Sequence, residues 1–232
     1  GVSGEMLNLT LNGLSFDNAN AGNRTITGTW ELDGVTGGEV NAANYTLIGT
    51  AFSAVGSISP KVIDVSAVIS SGLTTTREYD GTNTVAGLGS GSVNGIAGEM
   101  LNLTLSDLAF DSANAGSRTV TGTWSLDNVM GGNALASNYV LTGANHSETA
   151  TITAKSVDVA TVIATGLTTT RDYDGTTAVG GSGTGSVTGV GGEMLSLALS
   201  SVVFSDANAG SRMVTGTWII GSVTGGQANA AN

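Results

Sequence analysis

At 232 residues, with 40% apolar and 11% charged side chains, the chain is long enough for two or three small cores and too apolar for disorder. Seven Lys and Arg against eighteen Asp and Glu give a formal charge of −11. That disfavours nucleic-acid binding and docking on anionic lipid, both of which need clustered cations. The lack of cysteine excludes disulfides, thiol chemistry and Cys-ligated zinc. Neither a leader peptide nor an apolar run long enough for a membrane span is expected, and the chain reads as part of a longer secreted polypeptide.

Apolar and polar residues alternate from the start. In 6–11, Leu7, Leu9 and Leu11 share one face while Asn8 and Thr10 take the other, the period of a half-buried strand. A second strand is expected over 24–32, with Ile26, Trp30 and Leu32 inward and Gly28 leaving room beside the indole. Segments 44–49 and 138–143 predict a further strand, 61–69 another, and 74–81 a strand running into a turn. Gly, Asn and Asp between these runs supply the positive φ that tight turns need. No stretch keeps a helical period for ten residues, so helix is expected to be minor.

The pattern then recurs. Trp30, Trp124 and Trp218 stand 94 residues apart. The same interval carries Arg24 to Arg118 to Arg212, Glu5 to Glu99 to Glu193, and Tyr79 to Tyr173, without insertion or deletion. This is a tandem array: 61–154 is a complete repeat, 1–60 the later part of a preceding one, and 155–232 the earlier part of a following one. The joints at 58–68 and 152–162 carry no Gly/Ser-rich or Pro-rich linker, so consecutive repeats are expected to abut with little freedom. Short strands at this spacing predict an all-β fold of tandem β-sandwich (Ig-like) modules stacked into a rod. The alternative is a β-solenoid with several coils per repeat.

The ordered motifs of 152–187, with Tyr79-Asp80-Gly81 and Tyr173-Asp174-Gly175, resemble the YDG-type repeat of large bacterial surface adhesins. Those are filamentous-haemagglutinin-like proteins, often exported by two-partner secretion. The Asn-Ala-Gly-x-Arg segments at 20–24, 114–118 and 208–212, and the Asn-Tyr-x-Leu segments at 44–47 and 138–141, fit the same pattern. The resemblance covers essentially the whole chain. It implies a β-rich extracellular repeat of a long adhesin or fibre on the bacterial cell surface, and it names no ligand.

Reactive groups in register are weak evidence for catalysis, because a catalytic centre is a single asymmetric constellation. No Ser/His/Asp set repeats, and the one histidine, His146, stands at the phase of Phe52 and reads as a surface-loop residue. No catalytic residue and no cofactor are assigned. Glu78 with Asp80, and Asp172 with Asp174, sit two apart on one strand face. They read as a turn-capping Asp beside a solvated acid rather than as a glycosidase pair. Asp206 and Asn208, with Asp17 and Asp111 at nearby phases, make weak calcium candidates, since no bidentate Glu follows. Lys61 and Lys155, in register in an Asn-rich chain, would suit Lys–Asn isopeptide crosslinks only beside a buried acid.

Arg24, Arg118 and Arg212 are expected to end their strand and pair with a carboxylate, and the three Trp to be core. Asn8, Asn23, Asn44, Asn102 and Asn145 each open an Asn-x-Ser/Thr sequon. With two Lys and one Pro, the strands have few of the usual edge guards. Assembly with neighbouring repeats of the same or identical chains is therefore expected. The functional expectation is a stiff, extending stalk of a secreted adhesin or filament, not an enzyme. The alternative is a binding module that takes glycan, matrix or a host surface through Thr/Asn-rich faces or exposed Trp.

Overall fold

The computed structural model describes Gly1–Asn232 apart from residues 39–40, 133–134 and 227–228. The fold is all-β, as the period of two requires. In chain order the strands begin with β1 (Met6–Phe16), β2 (Gly22–Thr36), β3 (Ala51–Ile58), β4 (Lys61–Asp64) and β5 (Thr76–Glu78). Then come β6 (Ser90–Asn94), β7 (Met100–Phe110), β8 (Gly116–Met130), β9 (Tyr139–Thr142) and β10 (Asn145–Thr153). The last are β11 (Thr165–Thr168), β12 (Gly180–Thr188), β13 (Met194–Phe204) and β14 (Val214–Thr224). Among the described residues the only helices are short 3-10 turns.

The 94-residue interval reappears as geometry. β1, β7 and β13 occupy one phase, and the β1/β2 register is reproduced by β13/β14. Met6 faces Thr36 and Leu11 faces Trp30, as Met194 faces Thr224 and Leu199 faces Trp218. Both pairs slip at the same places, between Asn8/Leu9 and Asn12/Ser15 and between Ser196/Leu197 and Ser200/Val203. The second slip is a bulge whose extra residue turns to positive φ: Gly13 at 63°, Asp107 at 54° and Ser201 at 54°.

The chain divides into two compact units. The first holds 1–69, 90–104 and 125–144. In it β1, β2 and β3 form an antiparallel sheet in that order, β6 pairs with Met100–Thr104 of β7, and β4 runs parallel to β9. Val35, Val65, Leu101, Leu103 and Tyr139 are its buried apolar residues.

The second unit holds 70–89, 105–124 and 145–232. There β11-β12-β13-β14 make one antiparallel sheet. β10 lies between Gly116–Thr123 of β8, antiparallel, and β5, parallel. Tyr79, Phe110, Val120, Ala150 and Ile152 form its apolar core. Antiparallel meanders of long strands suit sandwich-like modules, whereas the coils of a parallel β-helix stack in parallel.

Two sequence expectations need correction. Segment 138–143 contains β9, but 44–49 holds no strand. An extended segment becomes a strand only where a ladder partner exists: β9 has β4, and Tyr45 to Ile48 have no such partner. The strand expected over 61–69 stops at Asp64, whose Oδ1 accepts the Ser66 N–H at 2.9 Å and turns the chain.

Candidate functional site

The side chains that recur in phase build three small polar clusters. The first centres on Glu5, Glu99 and Glu193. Each stands just before a β1-type strand, behind a one-turn 3-10 bend or tight turn closed by Glu5 N to Val2 O, Glu99 N to Ile96 O and Glu193 N to Val190 O. Glu99 and Glu193 are buried, at 5% and 4% exposure, and a buried carboxylate needs donors. The Tyr139 hydroxyl accepts the Ile96 N–H at 2.9 Å and donates to Glu99 Oε2. Tyr45 accepts the Val2 N–H at 2.9 Å and donates to Glu5 Oε2. Gly95 makes room for the phenol: a Cβ there would lie 2.5 Å from the Tyr139 oxygen.

Glu193 receives a different tyrosine, Tyr79 of the YDG triplet, on Oε1. Tyr79 lies in the middle repeat and Glu193 in the last, so this bond joins successive repeats. Burial raises the phenol pKa of both Tyr79 and Tyr139, and the carboxylate beside each raises it further. For Tyr45 the hydrogen bond to Glu5 is the main cause of the same rise.

The second cluster is the Asn-Ala-Gly-x-Arg turn. Arg24 folds back on its own turn, donating from Nε to Asn20 O at 2.6 Å and from Nη2 to Ala21 O at 2.7 Å. Arg118 does the same to Asn114 O at 2.6 Å and Ala115 O at 2.7 Å. The turn then presents one N–H and one amide oxygen to a single asparagine of the next repeat. Asn138 Oδ1 accepts from Ala21 N at 2.8 Å while its Nδ2 donates to Asn20 Oδ1 at 3.0 Å. Asn232 repeats this with Ala115 N and Asn114 Oδ1, both at 2.9 Å. The expected Arg–carboxylate pairing is therefore corrected for Arg24 and Arg118, where turn carbonyls meet the guanidinium fork. It holds for Arg212, whose Nε lies 2.6 Å from Asp206 Oδ1.

The third cluster is the YDG turn itself. Asp80 Oδ1 accepts from Thr82 N and Oγ1, both at 2.9 Å. Asp174 does so from Thr176, at 2.9 and 3.0 Å. Gly81 and Gly175 supply φ of 79° and 76°, so each Asp caps its turn. Burial opposes ionisation of Asp80, but bonds from Arg77 and Thr82 outweigh it and hold its pKa low. The Thr176 backbone N–H is the main cause of the same shift in Asp174. Arg77 also lies over the Phe110 ring at 4.9 Å, and Arg171 over Phe204 at 5.3 Å. Glu78 pairs with Lys155 at 2.6 Å, and that bond is the main cause of its lowered pKa.

The other candidates are spread apart. Of the calcium residues, Asp17 Oδ1 accepts from Asn18 N at 3.0 Å, Asp111 from Thr119 N at 3.2 Å, and Asp206 from Asn208 N at 2.9 Å. These carboxylates close turns, and among the described residues no group of three His, Cys, Asp or Glu is placed to hold a metal. Lys155 faces Glu78 in an exposed pair, far from the buried setting an isopeptide crosslink requires, and Lys61 is exposed. Asn8, Asn23, Asn44 and Asn145 are exposed, while Asn102 donates to Asn128 at 2.7 Å.

His146 is corrected from a loop to β10, where its half-buried ring stands edge-on to Trp124 at 5.5 Å. Phe52 holds the same place against Trp30 at 6.2 Å. Trp124 is core at 3% exposure, whereas Trp30 reaches 36%. Asn138 and Asn232 were not among the sequence candidates, and Glu99 and Glu193 were marked only by their phase. The usable signal was that phase combined with an acid abutting an apolar run.

Comparison with curated proteins and with solved structures finds no match. A scan of family models finds the YDG domain over residues 59–150. That span takes in the Tyr79-Asp80-Gly81 turn, Glu99, the Asn114–Arg118 turn and Tyr139. Residues 59–150 are a YDG domain.

Proposed function

We propose that this chain is a structural repeat segment of a secreted bacterial adhesin or extracellular filament, exposed at the cell surface and built to extend, stiffen and space. The observation that carries this reading is the asparagine clamp. Asn138 grips the Asn20–Ala21 turn and Asn232 grips the Asn114–Ala115 turn with the same two bonds, each reaching from one repeat into the repeat before it. With the Tyr79–Glu193 bond and the Lys155–Glu78 pair added, the joint is specified by side chains. A flexible linker would leave it to chain entropy. No catalytic role is assigned to any residue. The glycan-binding alternative is weaker, because Trp124 at 3% exposure has no face open to a sugar.

Electron microscopy of the purified segment tests the proposal. Stiff particles or filaments with a regular axial spacing are expected. Particles bending freely at each joint would overturn it.

A further inference from the structure

The last repeat carries two cavities, both inside the second compact unit. The first, of about 230 Å³, is lined by Lys155, Val157, Gly189, Glu193, Leu195 and Asn232 among others. Ninety-four residues earlier these positions are Lys61, Ile63, Gly95, Glu99, Leu101 and Asn138. There β9 is seated, parallel to β4, with the Tyr139 hydroxyl on Glu99 Oε2. The second cavity, of about 470 Å³, is lined by Thr170, Arg171, Tyr173, Phe204, Arg212 and Val214 among others. Its counterparts are Thr76, Arg77, Tyr79, Phe110, Arg118 and Val120. There β10 lies between β5 and β8 and packs Ala150 and Ile152 into the core. The contrast is plain in the tyrosines: Tyr79 is 3% exposed and Tyr173 69%.

β9 and β10 are consecutive, so one segment, 139–153, fills both places in the middle repeat. We propose that the last repeat is a strand acceptor, and that its occupant is the equivalent segment, 45–59, of a second copy of this chain. This deepens the stalk reading, on which it rests, by giving identical chains a way to join. The donor segment is at a sheet edge. Tyr45 to Ile48 lie in no strand, and β3 is the outer strand of its three-stranded sheet.

In its own chain the segment has one ladder, to β2. In the acceptor it would have three, by analogy with β9 on β4 and β10 on both β5 and β8. The acceptors would be 155–158, the open edge of β14 and 170–172. Strand exchange conserves the first ladder and adds two, with main-chain bonds for affinity and alternate side chains for specificity. The tyrosine at the head of the segment would give its hydroxyl to Glu193 Oε2, the oxygen that Tyr79 leaves open by taking Oε1.

The test uses the full chain and a synthetic peptide of sequence 138–153, which contains no tryptophan, read by tryptophan fluorescence and by mass distribution against chain concentration. The expected result is saturable one-to-one binding that depletes concentration-dependent oligomers of the chain, with a Tyr→Phe peptide roughly tenfold weaker. Absence of binding, or equal binding of a scrambled peptide, would overturn the acceptor. Peptide binding by a chain that stays monomeric at every concentration would overturn the second copy as occupant. Stiff particles in the microscope would leave the spacer reading standing in either case.

Discussion

Ser201 and Asp107 hold the bulge position at φ 54°, where the first repeat has Gly13 at 63°. Left-handed backbone costs an L-residue roughly 1–2 kcal/mol, and Gly gives back about 0.5–1 kcal/mol through the entropy of its unfolded state. Ser201→Gly is therefore expected to stabilise by up to about 1 kcal/mol, and Gly13→Ala to destabilise by about 1–2 kcal/mol. Urea midpoints at constant m-value measure both. A sharper test sits at Tyr139. Its hydroxyl accepts the Ile96 N–H and donates to the buried Glu99, so Tyr139→Phe strips partners from two groups at once. The expected loss is about 1–3 kcal/mol, because an unsatisfied buried group costs its desolvation. Tyr173→Phe, at 69% exposure, is expected to leave the urea midpoint of the same chain unchanged.

At the scale of elements, alternation made the long strands legible. β1 and β2 follow from Leu7/Leu9/Leu11 and Ile26/Trp30/Leu32, and the 94-residue interval carried them to β7, β8, β13 and β14. Short strands were less legible, because 44–49 and 138–143 share a sequence pattern but only the second has a ladder partner. The asparagine clamp was hardest to see. Asn138 meets residues 117 and 118 positions away, through neutral amides that leave no charge or hydrophobic signature. That clamp predicts a local effect: in Asn138→Ala the Ala21 N–H loses its acceptor, and its hydrogen exchange should quicken against the wild-type rate. Within the turn, Arg118→Lys should cost about 1–2 kcal/mol, since an ammonium cannot replace the two-pronged bond to Asn114 O and Ala115 O. Chemical denaturation checks that value, and a change below a few tenths would mean that the fork is dispensable.

Across the whole molecule, proton binding bounds the range of stability on both sides. Tyr79 and Tyr139, raised by burial and by their glutamates, and Tyr45, raised by its bond to Glu5, all bind their protons more tightly folded than unfolded. Their contribution is complete below the ordinary tyrosine value of about 10 and is lost as pH climbs through the raised folded values. The lowered carboxyls of Asp64, Glu78, Asp80, Asp174 and Asp206 act in the opposite sense. Their contribution is present above the ordinary carboxyl value of about 4 and disappears as pH falls through the lowered folded values.

A chain of net charge −11 with seven cations also repels itself more as the phenols ionise, so alkali should act cooperatively. The expected profile of thermal midpoint against pH is a plateau that falls below about pH 4 and above about pH 10. The double variant Tyr79→Phe/Tyr139→Phe starts from a lower plateau, and its alkaline fall should be shallower because two of the linked protons are gone. An unchanged alkaline slope in that variant would place the linkage outside the Tyr–Glu contacts, and the bond from Tyr79 to Glu193 could no longer be counted among the forces joining one repeat to the next.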